Sequence, residues 1–113
     1  MRGEDPYCKK PVTEPRKAGE IWVKGGAIQP YASAACTLGA LNEMKSKGQA
    51  VDVAYVFDTA RGIKLFAREA FYVVDGKGGI APFLLKQDAE AAARGGGTVM
   101  PYDEALKAAV TGG

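Results

Sequence analysis

The sequence predicts an α+β fold in which two pseudo-repeated ββαβ halves share one core. Residues 20–58 and 59–113 run through the same order of β-prone hairpin, helix and returning strand, with a further helix at the C-terminus. The two halves also share a short sequence similarity: residues 25–31 read GGAIQPY and residues 78–83 read GGIAPF. A chain of 113 residues is too short for two conventional domains. We therefore expect a single domain.

Residues 1–19 are predicted to form an ordered entry strap to this domain. Pro6, Pro11 and Pro15 each lack an amide donor and favour extended backbone at the residue before them. A helix is therefore not expected in this segment.

The first half is predicted from its turn and capping residues. The β-prone runs 20–23 and 27–31 flank a glycine-containing turn and indicate a hairpin. Ser33 can accept an amide hydrogen bond and so cap a helix from Ala34 to Lys47, which a glycine ends. The alternating run 51–57 is typical of the strand that closes the unit.

The second half repeats this order. We expect β-prone runs at 64–66, 70–74 and 80–85, a helix over 87–94, a strand over 98–102, and a last helix capped by Asp103 that ends near Val110. The shared core is predicted to contain apolar residues from strands and helices of both halves. These are Ile21, Val23, Ile28, Leu38, Leu41, Val53, Tyr55, Phe57, Phe71, Val73, Phe83, Ala89, Val99 and Leu106.

Composition excludes several classes of partner. The formal charge is +2, and basic residues alternate with acidic ones, so a nucleic-acid partner is not expected. No stretch approaches the run of about 20 apolar residues that a transmembrane segment needs. Residues 1–5 lack the apolar centre of a signal peptide, so either an export segment has been removed or the protein stays in the cytoplasm.

The candidate metal ligands are the two cysteines, Cys8 and Cys36. The sequence contains no histidine, which excludes imidazole metal sites and nucleophile-histidine catalysis. Three alternatives remain for the cysteines: a soft-metal site, because two thiolates suit Cu(I); a disulfide; or unpaired structural cysteines. Met44 follows Cys36 by eight residues, about 12 Å along a helix, so it is expected to pack and not to share an ion.

The remaining side chains do not form a recognisable active site, and no catalytic or cofactor-binding residue is predicted. Three carboxylates, Asp52, Asp58 and Asp75, fall at strand ends or turns, where capping and solvation explain them. Four strand aromatics are interpreted as core or protein interface: Trp22, Tyr31, Tyr55 and Phe57. Lys9 and Lys10 are interpreted as a solvated pair, with docking to an acidic partner as the alternative.

A series of short motifs, in order over almost the whole chain, resembles the NosL family. They are Pro6-Tyr7-Cys8, PVTEPR at 11–16, GG at 25–26, Cys36, REAFYVV at 68–74, PF at 82–83, DAE at 88–90, GG at 96–97 and YDE at 102–104. NosL proteins share their fold with part of organomercurial lyase, are exported and usually lipid-anchored, and deliver Cu(I) to nitrous oxide reductase. The resemblance therefore implies a NosL-like fold and a periplasmic or extracytoplasmic location, membrane-anchored in the full-length form.

Two methionine positions of the family pattern are lost in this chain. NosL proteins have Cys-Gly-Met near the start, whereas this chain has Cys8, Lys9 and Lys10, and a charged ammonium cannot bind a cation. A Pro-Met-Gly stretch after the first strand of the second hairpin is replaced by the turn 75–79, which contains no sulfur. Cys8 is the one ligand type that carries over, and Cys36 is the second cysteine.

Three functions follow as hypotheses. The first is an accessory protein that binds a soft metal, with Cu(I) as the expected cargo, or delivers it to a client redox enzyme. The second is a metal-free binding or structural subunit of a larger redox complex, marked by an exposed aromatic or apolar patch. The third, an enzyme related to organomercurial lyase, would need two free thiols and a nearby carboxylate, and we expect no enzyme.

Overall fold

The structure is a computed structural model that describes residues 8, 18–26, 28–76 and 79–111. The predicted entry strap therefore lies outside the described residues except for Cys8, Ala18 and Gly19. The strands are β1 (Gly19–Val23), β2 (Ile28–Tyr31), β3 (Val51–Phe57), β4 (Lys64–Phe66), β5 (Phe71–Val74), β6 (Ile80–Phe83) and β7 (Thr98–Met100). The helices are α1 (Ala34–Ser46), α2 (Lys86–Ala93) and α3 (Tyr102–Thr111), and a 3-10 turn, Ala67–Glu69, follows β4.

The strands form two antiparallel sheets, of order β2-β1-β3-β4 and β6-β5-β7. In both sheets the first strand of a hairpin lies between its hairpin partner and the strand that follows the helix. This is one ββαβ arrangement present twice, and it confirms the predicted α+β fold class. The sequence pattern grouped residues 64–66 with the second half, but β4 pairs with β3 and extends the first sheet.

Helix α1 begins where its capping residue predicts. The Ser33 side chain accepts a hydrogen bond from the Cys36 amide at 3.2 Å, and the Ser33 carbonyl accepts one from the Thr37 hydroxyl at 2.8 Å. The fully buried Thr37 then lies directly beneath Gly19 of β1. A Cβ at Gly19 would come within 2.1 Å of Thr37 Oγ1 and 3.0 Å of the Tyr55 carbonyl oxygen, so only glycine fits here.

The main core contains residues of both halves. Ile21 and Leu38 from the first half and Tyr72 and Leu106 from the second belong to one cluster of buried side chains. The Tyr72 hydroxyl donates to the Ala67 carbonyl, so this buried phenol is satisfied. A smaller cluster contains Val73, Phe83 and Ala89 of the second half.

Two predictions about the core were wrong. Ile28 is 51% exposed, at the edge strand β2. On β3 the buried residues are Ala54 and Val56, while Val53, Tyr55 and Phe57 are only partly buried on the opposite face. Ala54 pairs with Ile21 and Val56 with Gly19, on the face beneath α1, where the close contact at Gly19 leaves room for small side chains.

Helix α3 begins one residue earlier than its predicted cap. The Ala105 amide donates to the Pro101 carbonyl at 3.0 Å, and Tyr102 is the first helical residue. Asp103 lies in the first turn and is not the cap. A carboxylate there still stabilises the helix, because it lies near the positive end of the helix dipole. Among the described residues, no helix combines the length and the apolar character needed to cross a bilayer.

The buried carboxylate of Asp58 joins the two halves. It follows β3, is fully buried, and accepts hydrogen bonds from the amides of Arg61 at 2.7 Å and Leu84 at 2.9 Å. The Thr59 amide donates to the Pro82 carbonyl at 2.9 Å beside it, and Arg61 forms an ion pair with Asp88 of α2. The turn after β3 is thus bonded to the end of β6 and the start of α2.

Candidate functional site

Cys36 lies at the N-terminal end of α1, on the side of the helix that faces the core. It is the third residue of the helix, and its side chain is 5% exposed within the main cluster. Ser33 fixes its backbone, because the Cys36 amide is the donor to the capping hydroxyl. The helix cap and the position of this sulfur are therefore set by the same pair of residues.

Cys8 is bonded to Cys36. The S–S distance is 2.02 Å, the Cα atoms are 5.8 Å apart, and the two residues are separated by 28 positions in the sequence. Cys8 is partly buried and packs against the main cluster. Of the three alternatives that the sequence left open, the structure has the disulfide. The metal-site hypothesis concerns the reduced pair and stays a prediction.

The disulfide has two chemical consequences. While it is intact, neither sulfur is a thiolate, and the thiolate is the form that binds metal or acts as a nucleophile. Reduction would leave two thiols at one position, one of them in the first turn of a helix. Closing a loop of about 28 residues also stabilises the fold by roughly 3–4 kcal/mol.

The other sulfur atoms of the described residues belong to methionines in or against the main core. Met44 is buried in the main core near the far end of α1, which agrees with the packing role expected from helix geometry. Met100 is partly buried at the end of β7 and packs against the same core. Within the described part of the chain, no group of three or more Cys, Asp or Glu side chains is placed to hold a metal ion. Lys9 and Lys10 lie outside the described residues.

The predicted structural roles of two carboxylates agree with their hydrogen bonds. Asp58 accepts backbone amides at the junction, and Asp75 closes the second hairpin by accepting from the Gly79 amide at 2.8 Å. Asp52 is exposed at the start of β3. The sequence did not reveal that Asp58 connects the two halves, although its position directly after a strand and before a turn was the available signal.

An aromatic face lies on the side of the first sheet opposite α1. The Trp22 and Tyr55 rings meet edge to face with centroids 6.1 Å apart, and Tyr55 stacks on Phe66 at 5.4 Å. Trp22 is 38% exposed and Phe66 42% exposed, and the exposed Ile28 pairs with Trp22 across the hairpin. We call these four residues the aromatic face. Of the strand aromatics, Tyr31 instead lies in the core.

Charged side chains cover part of the aromatic face. Lys64 Nζ lies 4.4 Å from the Tyr55 ring centroid and 3.1 Å from a Glu20 carboxylate oxygen. The Trp22 indole N–H donates to the same carboxylate at 3.2 Å. These contacts hold the rings of Trp22 and Tyr55 in place while leaving apolar surface exposed, which is a feature of protein interfaces.

Comparison with known proteins identifies the fold. No protein-family model and no curated protein matches the chain. Among solved structures, the chain is similar to the copper chaperone NosL from Shewanella denitrificans, with a TM-score of 0.74 and 25% sequence identity over 90% of this chain and 88% of that chain. The protein therefore has a NosL-like fold, as the motifs along its sequence predicted.

Proposed function

We propose that this protein is a NosL-like accessory protein that handles a soft metal and has no enzymatic activity. Its cargo would be Cu(I), bound by Cys8 and Cys36 after reduction and passed to a client redox enzyme. The observation that carries the proposal is the bond between the two sulfurs, which places both potential ligands at one position. The structural similarity to a copper chaperone supports the choice of metal.

The ligand chemistry favours Cu(I) over harder ions. Thiolates select soft cations, and two of them satisfy a roughly linear Cu(I) site without the family methionines that this chain lacks. The disulfide must first accept two electrons and two protons from a dithiol reductant, which is itself oxidised to a disulfide. Each thiol then releases its proton as the metal binds.

A location outside the cytoplasm is part of the proposal. A disulfide is compatible with an oxidising compartment such as the periplasm. The NosL-like fold supports the same location, and we propose a lipid anchor in the full-length protein on the basis of the family resemblance alone. Metal loading would then depend on a reductant supplied in that compartment.

Reduced protein is expected to take up one Cu(I) per chain in an anaerobic titration against a chromogenic Cu(I) chelator such as bicinchoninate. The Cys8→Ala variant is expected to lose this tight uptake, because a single thiolate cannot complete a two-coordinate site. The unreduced disulfide form is expected to take up none, since neither sulfur is a thiolate.

Met100→Leu is the matched control for loss of a sulfur atom outside the pair, and it is expected to retain full uptake. Free thiols should be counted before each titration to establish the redox state. Equal Cu(I) uptake by Cys8→Ala and by the unaltered reduced protein would refute the proposed site.

A second function, as a metal-free binding subunit of a redox complex, is favoured by the aromatic face. Exposed Trp22, Ile28 and Phe66 form the apolar patch that such a subunit would use. A photo-crosslinking residue at Phe66 is expected to give one discrete adduct in the native cells. The same residue at Glu90, an exposed position on α2, should not give it. Identical products from both positions would rule out the aromatic face as a specific interface.

A further inference from the structure

A cavity of about 310 Å³ lies near the C-terminal end of α1, away from the disulfide. Its apolar lining includes the buried residues Leu41, Ala54 and Leu106, and Phe66 contributes to one wall. Lys45, also in the lining, follows Cys36 by nine residues, about 13 Å along the helix. The volume is at the lower end of the range for sites that bind small molecules.

The polar side chains around this cavity lack partners within the part of the chain that the structure describes. Lys45, Gln49, Asp52 and Tyr102 make no side-chain hydrogen bond or ion pair there, and Arg68 contacts only the Phe66 ring, at 5.9 Å. Some surface charges elsewhere in the fold are paired, such as Glu20 with Lys64 and Arg61 with Asp88. The cavity therefore combines an apolar floor with several unused hydrogen-bonding groups.

The net charge of the lining residues favours a negatively charged ligand. Lys45 and Arg68 are cations and Asp52 is an anion, so the formal charge is +1. Burial raises the pKa of Tyr102, which keeps its phenol protonated and able to donate a hydrogen bond. Gln49 can donate through its side-chain amide. A headgroup with a single negative charge would contact two cationic side chains, Lys45 and Arg68. It would also meet two neutral hydrogen-bond donors, Gln49 and Tyr102.

We propose that this cavity binds a small amphiphilic monocarboxylate. The apolar body lies against Leu41, Ala54 and Leu106, and the carboxylate lies at the rim with Lys45 and Arg68. Guanidinium and ammonium groups both bind carboxylates through charge-assisted hydrogen bonds. This site is separate from the cysteine pair, so it does not depend on the proposed metal function.

The test is an NMR titration of the full chain, in its disulfide form, with octanoate as the probe. We expect saturable shifts of the Ala54, Ala67 and Leu106 amides, with a dissociation constant of roughly 0.1–1 mM for a ligand of this size. Two analogues with the same apolar chain, the neutral 1-octanol and the cationic octylammonium, should bind more weakly, because neither has a negative charge.

Substitutions at the rim should change the affinity for octanoate in opposite directions, depending on the charge that is removed. A general structural effect would not produce this pattern. Lys45→Gln and Arg68→Gln should each weaken octanoate binding by roughly 2- to 5-fold, whereas Asp52→Asn should strengthen it by a similar factor. Lys86→Gln, an exposed change on α2 outside the lining, should have no effect. Equal affinity for all three probes, shifts centred elsewhere, or rim variants that bind like the unaltered protein would overturn the proposal.

Discussion

Replacing Asp58 with alanine is expected to lower the free energy of unfolding by roughly 2–4 kcal/mol. The carboxylate is fully buried and accepts the amides of Arg61 and Leu84, which the alanine side chain cannot do. Both amides would lose their partner at a junction between the two halves. Arg61 would also lose its second carboxylate neighbour, at 4.0 Å.

Urea unfolding followed by circular dichroism measures this effect. Asp75→Ala is the matched control, because Asp75 also accepts a backbone amide, that of Gly79, but on an exposed hairpin. This variant should lower the free energy of unfolding by only about 0.5–1.5 kcal/mol, because the bond from the Gly79 amide lies on an exposed hairpin. Asp58→Asn keeps one acceptor oxygen and should fall between the two. An Asp58→Ala variant as stable as the control would show that the junction does not depend on this carboxylate.

Gly19→Ala is the second change with a large expected effect, a loss of roughly 1–3 kcal/mol or more through overpacking. The added methyl group would come within 2.1 Å of Thr37 Oγ1, on a buried side chain whose hydroxyl is bonded to the Ser33 carbonyl. Strand β1 cannot move the other way freely, because the Tyr55 carbonyl is 3.0 Å from the same position. The expected result is a lower urea midpoint and a shift of α1 relative to the first sheet.

The control for this substitution is Gly76→Ala, where an added methyl group would meet no atom of the described residues within 4 Å. It should change stability by less than about 0.5 kcal/mol, as surface substitutions usually do. Thr37→Ala in the Gly19→Ala background should recover part of the loss, because the clashing oxygen is gone. Equal destabilisation by both glycine substitutions would mean that backbone freedom, and not the contact with Thr37, requires glycine.

Several boundaries of the secondary structure, among them the start of α1, followed from local chemistry that the sequence shows directly. Ser33 marks the start of α1 because its side chain bonds within the next three residues, and that interaction needs no tertiary context. The two hairpins were likewise predicted from glycine-containing turns between β-prone runs. The assignment of β4 to the first sheet depended on pairing with β3, a non-local contact that no local pattern encodes.

The buried face of β3 was harder to predict because both faces of that strand are largely apolar. Period-two alternation could place either Tyr55 and Phe57 or Ala54 and Val56 inward, and residue size favoured the aromatics. The close approach of Gly19 to Thr37 determines which face of β3 is buried. It brings α1 near the sheet, where only the smaller side chains of Ala54 and Val56 fit. The aromatic face is the consequence of that packing.

The candidate site could be predicted only as far as residue type. The sequence identified Cys8 and Cys36 as the available soft ligands but not their covalent state, because pairing depends on the distance between residues 28 positions apart. The cavity residues Lys45, Arg68 and Tyr102 come from three separate elements, and no sequence motif connects them. Their juxtaposition follows from the packing of α3 against α1 and the 3-10 turn.

The unequal division of the core means that the duplicated halves are no longer interchangeable. The second sheet has a small cluster of its own, Val73, Phe83 and Ala89, while Tyr72 on the same sheet contributes to the main cluster. Excised as a separate polypeptide, residues 71–111 would leave that tyrosine and much apolar surface in water, with too little burial to offset the loss of chain entropy. An ancestral repeat able to fold by itself, or to pair with an identical copy, would thus have become an obligate partner of the half that precedes it.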